Sequence, residues 1–364
     1  MGIKANERHH RQTSRNNYSA LLKRIADELL SHQESDDRLN AAVIELHSLC
    51  SSVSGIDEDS NHADGLDGTE LPSGKAISPR DAAGCVLDYT RTSKLLKGVH
   101  AAILEARKRF PNTTIEILYA GCGPFAPLAI PLTSRFSASE IRFTLLDIHK
   151  RSLDAARRIF QDFGLTAFVR EYTQCDAAFY KHEAPHDIHI VLVETMQAAL
   201  EKEPQVAITM NLASQLRSGG IFIPERIAVD GYLCDLTKEF TTLHVEADAA
   251  KFLSGTGKVR VYLGRVLELT AWSCHNLFAS SSVGPCRVSL SPNVILETPK
   301  ALDGEFNLML LTTITVFDSI ALSGYDSGLT CPRILFDVGK IHGGMRIGFA
   351  YNLGNKPGFK HRFL

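Results

Sequence analysis

The sequence predicts an α/β domain built on a parallel sheet, with a helical extension ahead of it and a β-rich, barrel-like region behind it. Three observations predict this. Between residues 78 and 225, short apolar runs alternate with amphipathic stretches, the pattern of strands joined by crossover helices. The first of those runs ends in a glycine pair, Gly121 and Gly123. From residue 226 to 364 the runs are strand-like throughout and are separated by Gly and Pro turns.

Residues 1–50 read as a helical hairpin. Leu21, Leu22, Ile25, Leu29 and Leu30 recur at helical spacing, as do Leu39, Val43, Leu46 and Leu49, with the polar stretch 32–37 between them. Residues 51–77 are acidic and nearly free of large apolar side chains. They bury too little to offset their ordering entropy and read as a flexible linker. Ser78-Pro79-Arg80-Asp81 is a helix start, with serine as cap and proline at the first helical position. Val86, Leu87, Leu95, Val99 and Ile103 then continue a helix. Strands are predicted at 115–121, 141–147, 168–176 and 189–194, and a helix at 153–164 closed by Gly164. A closing antiparallel hairpin is predicted around Gly219 and Gly220. Beyond it, the runs 260–269, 288–296, 308–322 and 345–354 read as a barrel or sandwich.

The 364 residues carry a formal net charge of −2 and are 44% hydrophobic, enough for an ordinary core. That balance gives no general attraction to nucleic acid, which shows as a strongly basic face. No apolar run approaches the ~18 residues of a membrane span. The N-terminal positive charges precede no apolar segment, so the stretch does not read as a secretory signal. Eight cysteines are scattered, with no Cys-x-x-Cys and no Cys/His pair at zinc spacing. Free thiols, a cytoplasmic location and no metal are the expectation. His9 and His10, flanked by Arg8 and Arg11, read as a solvated terminus. His182, His186 and His189 read as loop residues.

The stretch 119–129, YAGCGPFAPLA, is the most informative. Glycines at 121 and 123 let a backbone turn sharply and approach a ligand. The stretch also fits G-x-G-x-x-A, a dinucleotide fingerprint, with Asp147 ending the next strand. A pyrophosphate is held by free backbone N–H groups at a helix N-terminus, and Pro124 and Pro127 remove two of them. A cofactor with a nucleoside and no phosphate would not miss these donors, and S-adenosylmethionine is such a cofactor. Asp147 is then placed to accept from ribose hydroxyls. Asp176, one strand later, is placed to face an adenine amino group, while each of the two acids read alone also fits a cap on the helix that follows it.

Here the sequence resembles a class I S-adenosylmethionine-dependent methyltransferase, and within that class the protein arginine methyltransferases. Asp88-Tyr89-Thr90-Arg91-Thr92 is similar to the family's D-x-x-R-T, whose arginine pairs with the cofactor's methionine carboxylate. The stretch 193–205, VETMQAALEKEPQ, resembles its double-glutamate loop, with Glu194 and Glu203 at the family's spacing. The stretch 219–227, GGIFIPERI, leads into a β-rich half, as the family's cofactor domain leads into its barrel. The resemblance implies a Rossmann-like cofactor domain at 78–225 and a substrate and dimerisation domain at 226–364. It implies Arg91, Gly121, Gly123, Asp147 and Asp176 as cofactor-binding residues and Glu194 and Glu203 as catalytic ones. It also implies a homodimer, through an arm near residues 232–253.

Three features depart from the family, one of them Pro131, which would bend or shorten the helix after the glycine loop. The family's tyrosine-bearing helix ahead of D-x-x-R-T has no counterpart, and its Thr-His-Trp loop is missing: the only tryptophan, Trp272, lies in AWSCHN. These departures resemble those of bacterial relatives that methylate metabolites. The expected acceptor is a small molecule, methylated on a guanidino or amine nitrogen or on an electron-rich, indole-like ring. Two carboxylates in one pocket suit a cationic or N–H-bearing group. The alternatives are a protein arginine N-methyltransferase and a non-catalytic scaffold that binds the cofactor.

Overall fold

The computed structural model describes residues 17–33, 35–56, 68–184, 187–239, 260–274, 276, 289–302, 304–335 and 341–364. The expectations for His9, His10, His186, Cys286, the middle of the 51–77 stretch and most of the 232–253 arm lie outside them.

The helical extension forms α1 (residues 17–29) and α2 (Asp36–Ser54). Their apolar stripes turn inward. Leu22, Ile25 and Leu29 join Leu39, Val43 and Leu46 in the same buried cluster as the central strands. At about 1.5–3 kcal/mol for each large side chain buried, the hairpin is part of the core and not an appendage. Gly55, left-handed at φ 69°, ends α2 with its N–H donating to Ser51 O.

The linker expected at 51–77 is corrected at both ends. Residues 51–54 extend α2, and β1 (Thr69–Leu71) and β2 (Gly74–Ala76) form an antiparallel hairpin. The composition argument missed it because two three-residue strands need little apolar surface of their own when they lie on a neighbour. α3 (Pro79–Gly84) starts as expected, with Ser78 Oγ accepting from Asp81 N at 3.1 Å. A 3₁₀ turn and a break at Asp88 then separate it from α4 (Tyr89–Arg109), where one continuous helix was expected. Asp88 caps α4 by accepting from Arg91 N at 3.0 Å.

β3 (Ile115–Ala120), β4 (Ile141–Asp147), β5 (Val169–Gln174), β6 (Ile188–Val193) and β7 (Leu216–Ile223) form one sheet in the order β5-β4-β3-β6-β7. β6 is buried along its whole length, as a central parallel strand with covered faces must be. α5 (Lys150–Asp162) links β4 to β5, and α6 (Gln205–Ala213) precedes β7. Pro131 limits the segment after the glycine loop to a short 3₁₀ turn, Ile130–Ser134. The closing antiparallel hairpin does not form. β7 runs parallel to β6, and the next strand, β8 (Arg226–Cys234), leaves for another sheet. The Gly219-Gly220 pair sits inside β7 rather than at a hairpin turn.

The second half contains two antiparallel sheets among the described residues. β9 (Arg260–Leu269), β8, β12 (Asn307–Phe317) and β13 (Ile320–Leu322) pair in that order, and β14 (Arg333–Leu335) adds to β12. β15 (Arg346–Leu353) pairs with β10 (Ser289–Leu290), β11 (Val294–Glu297) and β16 (Gly358–Phe363). The hydrophobic cluster runs unbroken from α1 to β15, so both halves share one core. Among the described residues no helix is long and apolar enough to cross a membrane.

Candidate active site

A cavity open to solvent lies at the C-terminal ends of β3, β4, β5 and β6. In an open parallel sheet that edge, between the two strands where chain order reverses, is where ligands bind. Here those strands are β3 and β6.

The turn after β3 is built from occupied donors. Gly121 N and Cys122 N donate to Leu146 O at 2.9 and 3.1 Å, and Gly123 N donates to Asp147 Oδ2 at 2.9 Å. Pro124 has no N–H to give. Gly121 and Gly123 are left-handed, at φ 72° and 62°. A Cβ on Gly121 would overlap Cγ2 of Thr195 after β6, so the packing of that side chain leaves no room for one here.

Asp147, 8% exposed, also accepts from His149 N at 2.8 Å. Each carboxylate oxygen has taken one donor and keeps a second acceptor site. Asp176 accepts from Ala178 N at 2.9 Å, and burial pushes its carboxyl above the usual aspartate range.

Arg91, on the first turn of α4, reaches across to Glu194 after β6 at 2.5 Å, with both side chains nearly buried. Burial works against the Arg91 charge, but Glu194 outweighs it and holds the guanidinium firmly protonated. Burial likewise pushes Glu194 upward while Arg91 pulls it down. The second carboxylate oxygen of Glu194 is buried with no hydrogen-bond partner. Glu203, 7% exposed, is pushed up to about 7, by burial first and by the Glu194 charge second.

The segment carrying the two acids is held from the β-rich half. Ala199 N donates to Thr312 Oγ1 at 2.8 Å, Tyr351 OH donates to Leu200 O at 2.7 Å, and Lys202 N donates to Pro357 O at 3.0 Å. These contacts support three left-handed non-glycine residues, Ala199, Leu200 and Lys202. Gln205 on α6 fixes the other end, accepting from Thr195 N at 3.0 Å.

All seven residues singled out from sequence (Arg91, Gly121, Gly123, Asp147, Asp176, Glu194 and Glu203) line this one cavity. Sequence reading missed Cys85 beside Arg91, His149, and the β1–β2 wall of Leu71, Ala76 and Ile77. The Pro-Ser-Gly run at 72–74, between short strand-compatible stretches, was the available turn signal for that wall. His189 is placed differently from the loop position expected. It sits in β6, away from the cavity, with Glu116 N donating to its Nδ1 and Arg217 Nη1 2.6 Å from its Nε2. Burial and Arg217 push it down to about 4.

No known protein-family model matches the sequence, and no curated protein matches it. Among solved structures the chain is similar to the Trypanosoma brucei PRMT1 enzyme-prozyme heterotetrameric complex with AdoHcy. That match has 11% sequence identity and a TM-score of 0.50, and it covers 77% of this chain and 91% of that one. At that identity the likeness speaks for architecture: this chain has the fold of a class I methyltransferase of the protein arginine methyltransferase type.

Proposed function

We infer that the protein is an S-adenosylmethionine-dependent methyltransferase acting on a nitrogen or an electron-rich, indole-like ring of a small molecule. The observation that carries this is the single cavity in which a glycine turn with occupied donors meets a buried arginine and two buried acids. The residues fit the cofactor. The Gly121 and Gly123 backbone lines the cavity without side chains, and Arg91 is a fixed cation for a carboxylate. Asp147 keeps acceptor sites that suit ribose hydroxyls, and Asp176, on the same cavity, is the acid we assign to an adenine amino group. The absence of free donors from Gly121 to Pro124 argues against a pyrophosphate and so against a nicotinamide enzyme.

Bound in this cavity, S-adenosylmethionine supplies a methyl group already activated as a sulfonium. The protein's task is then alignment and charge. Glu194, anchored by Arg91, presents an unpaired oxygen to a cationic or N–H-bearing acceptor. The proton that the acceptor nitrogen would give up on methylation would pass to Glu203. An acid poised near 7 is matched to that step at neutral pH. A guanidinium, with a pKa above about 12, stays charged until transfer, so the carboxylates localise its charge as well.

The small-acceptor reading draws on the cavity walls, which among the described residues come from 71–208 and not from the β-rich half. Trp272, in the turn after β9, is 91% exposed and forms no wall. A protein arginine methyltransferase is the second reading, favoured by the solved structure described above. We also take 78–225 as the cofactor domain and 226–364 as the acceptor and dimerisation domain, and a homodimer as the assembly. The free cysteines among the described residues suit a reducing, cytoplasmic setting.

Calorimetry with S-adenosylhomocysteine and with NAD tests the cofactor assignment; preference for NAD would overturn it. Incubation with methyl-labelled cofactor and separate pools of metabolites and of arginine-rich peptides, read by mass, tests the acceptor. Glu194→Gln and Glu203→Gln should then each lower the single-turnover rate by about 10²–10⁴ for a cationic acceptor. With an aromatic acceptor, one of the two should be nearly silent. Near-normal rates in both would remove the acids from the reaction.

A further inference from the structure

Among the described residues, the β1–β2 hairpin belongs to none of the three larger sheets. Its strands pair only with each other, Thr69 with Ala76 and Leu71 with Gly74. Two short strands alone are marginal in water, so its contacts with the rest of the chain hold it in place. Those contacts lie at opposite ends of the cavity. At one end Thr69 Oγ1 is 3.0 Å from His149 Nε2. The same histidine donates its backbone N–H to Asp147, and its Nδ1 lies 3.5 Å from that carboxylate. At the other end Lys75 N donates to Lys202 O at 2.7 Å, one residue before Glu203. Leu71 and Ala76 form the wall between.

Gly74 makes the second contact possible. At φ 140° it lies in a region open to glycine, and a Cβ there would come within 2.6 Å of Lys202 O and 3.1 Å of both the Glu203 carbonyl carbon and Pro357 Cγ. The hairpin thus packs where the acid-bearing segment meets the loop before β16. Glu203 is shielded at that point, with Glu194 and Arg91 as its charged neighbours and Gln197 as a hydrogen-bond partner.

We propose that the β1–β2 hairpin is a positioning element that ties the Asp147 end of the cavity to Glu203, with Thr69 and Gly74 as its two points of attachment. Thr69 holds the His149 ring beside Asp147 and so sets the ribose end of the site. Gly74 lets Lys75 fix the Lys202–Glu203 peptide. Because the hairpin has no other strand partner among the described residues, loosening one attachment loosens the other. The Thr69 half of this proposal rests on reading the cavity as a cofactor site; the hold on Glu203 does not.

The test uses the full chain as wild type, Thr69→Val, Thr69→Ser and Gly74→Ala. S-adenosylhomocysteine affinity is read by calorimetry. The Glu203 carboxyl is titrated by carbon-13 NMR and assigned with Glu203→Gln. Thr69→Val should lower affinity about five- to tenfold, the equivalent of one net hydrogen bond, and Thr69→Ser should restore it. Gly74→Ala should admit water to Glu203 and lower its titration midpoint by about one pH unit, towards an ordinary glutamate. Thr69→Val, which does not touch Glu203, should lower that midpoint by about half a unit. This transmitted effect is one that a merely local role for Thr69 would not produce, and it stands even if Gly74→Ala fails to fold. A folded Thr69→Val with wild-type affinity and an unmoved midpoint overturns the proposal. A wild-type chain that does not bind the nucleoside defeats the cofactor reading and the Thr69 half with it, while the Gly74 titration still decides the other half.

Discussion

Replacing Glu203 by glutamine should alter the pH dependence of stability in a calculable way. Burial and the nearby Glu194 charge push this carboxyl from 4.5 up to about 7. The folded protein therefore holds the proton more tightly than the unfolded chain does. For an acid raised on folding, the native state is favoured most below the unfolded value, and the advantage is lost as pH rises towards the folded value. Between pH 4.5 and about 7 the loss comes to about 3 kcal/mol, at about 1.4 kcal/mol per pH unit of difference. Glutamine matches the neutral acid in size and cannot ionise, so the variant escapes the loss. Urea unfolding followed by circular dichroism, at intervals from pH 5 to 8, measures the difference between the two proteins. Glu203→Gln should be close to wild type at pH 5 and pull ahead as pH rises, levelling off above pH 7 at up to about 3 kcal/mol. A difference that stays flat across this range, or that grows in favour of wild type, would refute the buried-acid argument.

Arg91→Ala should weaken S-adenosylhomocysteine binding by about 1.5–3 kcal/mol, the range for hydrogen bonds to a charged group; unchanged affinity in calorimetry would remove Arg91 from the site. Glu194→Gln should destabilise the fold where Glu203→Gln does not, because it strips the counter-charge from a buried guanidinium, a change that costs about 3–5 kcal/mol when nothing replaces the partner. Thermal unfolding of the two variants at pH 8 makes the comparison, and equal midpoints would contradict it. Gly121→Ala should cost more stability and nucleoside affinity than Gly123→Ala. Both strain a left-handed residue by about 1–3 kcal/mol, but only the first also collides with Thr195, whereas the second meets Ala82 at an ordinary 3.6 Å. Light scattering at micromolar concentration should give twice the 40.0 kDa chain mass, and a monomer mass would reject the dimer.

Much of this architecture was legible because its signals are periodic or local. The stripe from Leu22 to Leu46 marked the two helices, and the unbroken apolar run of β6 marked a central strand. The glycine turn, Arg91 and the two acids were found by spacing and resemblance, and they converge on one cavity. The direction of β7 was not legible, since parallel and antiparallel neighbours carry the same apolar pattern and only the connection decides. The hairpin at 69–76 was hidden for another reason: its stability comes from contacts with residues 149 and 202, and a composition window cannot see them. The pairing of Arg91 with Glu194 was also beyond reach. Sequence gave each residue a partner in a ligand, and the two stand 103 positions apart.

The support beneath Ala199 and Leu200 limits how this scaffold can be re-engineered. A left-handed alanine or leucine costs about 1 kcal/mol or more, and here Thr312 and Tyr351 of the β-rich half offset that cost. A chimaera that grafts a foreign β-rich half onto residues 17–223 would keep the parallel sheet and the glycine turn. It would lose the two hydroxyls that hold the acid segment in its bent shape, and Glu203 would relax away from Glu194. Transplanting acceptor preference between such proteins therefore means carrying Thr312, Tyr351 and the segment around Pro357 together with the loop they brace.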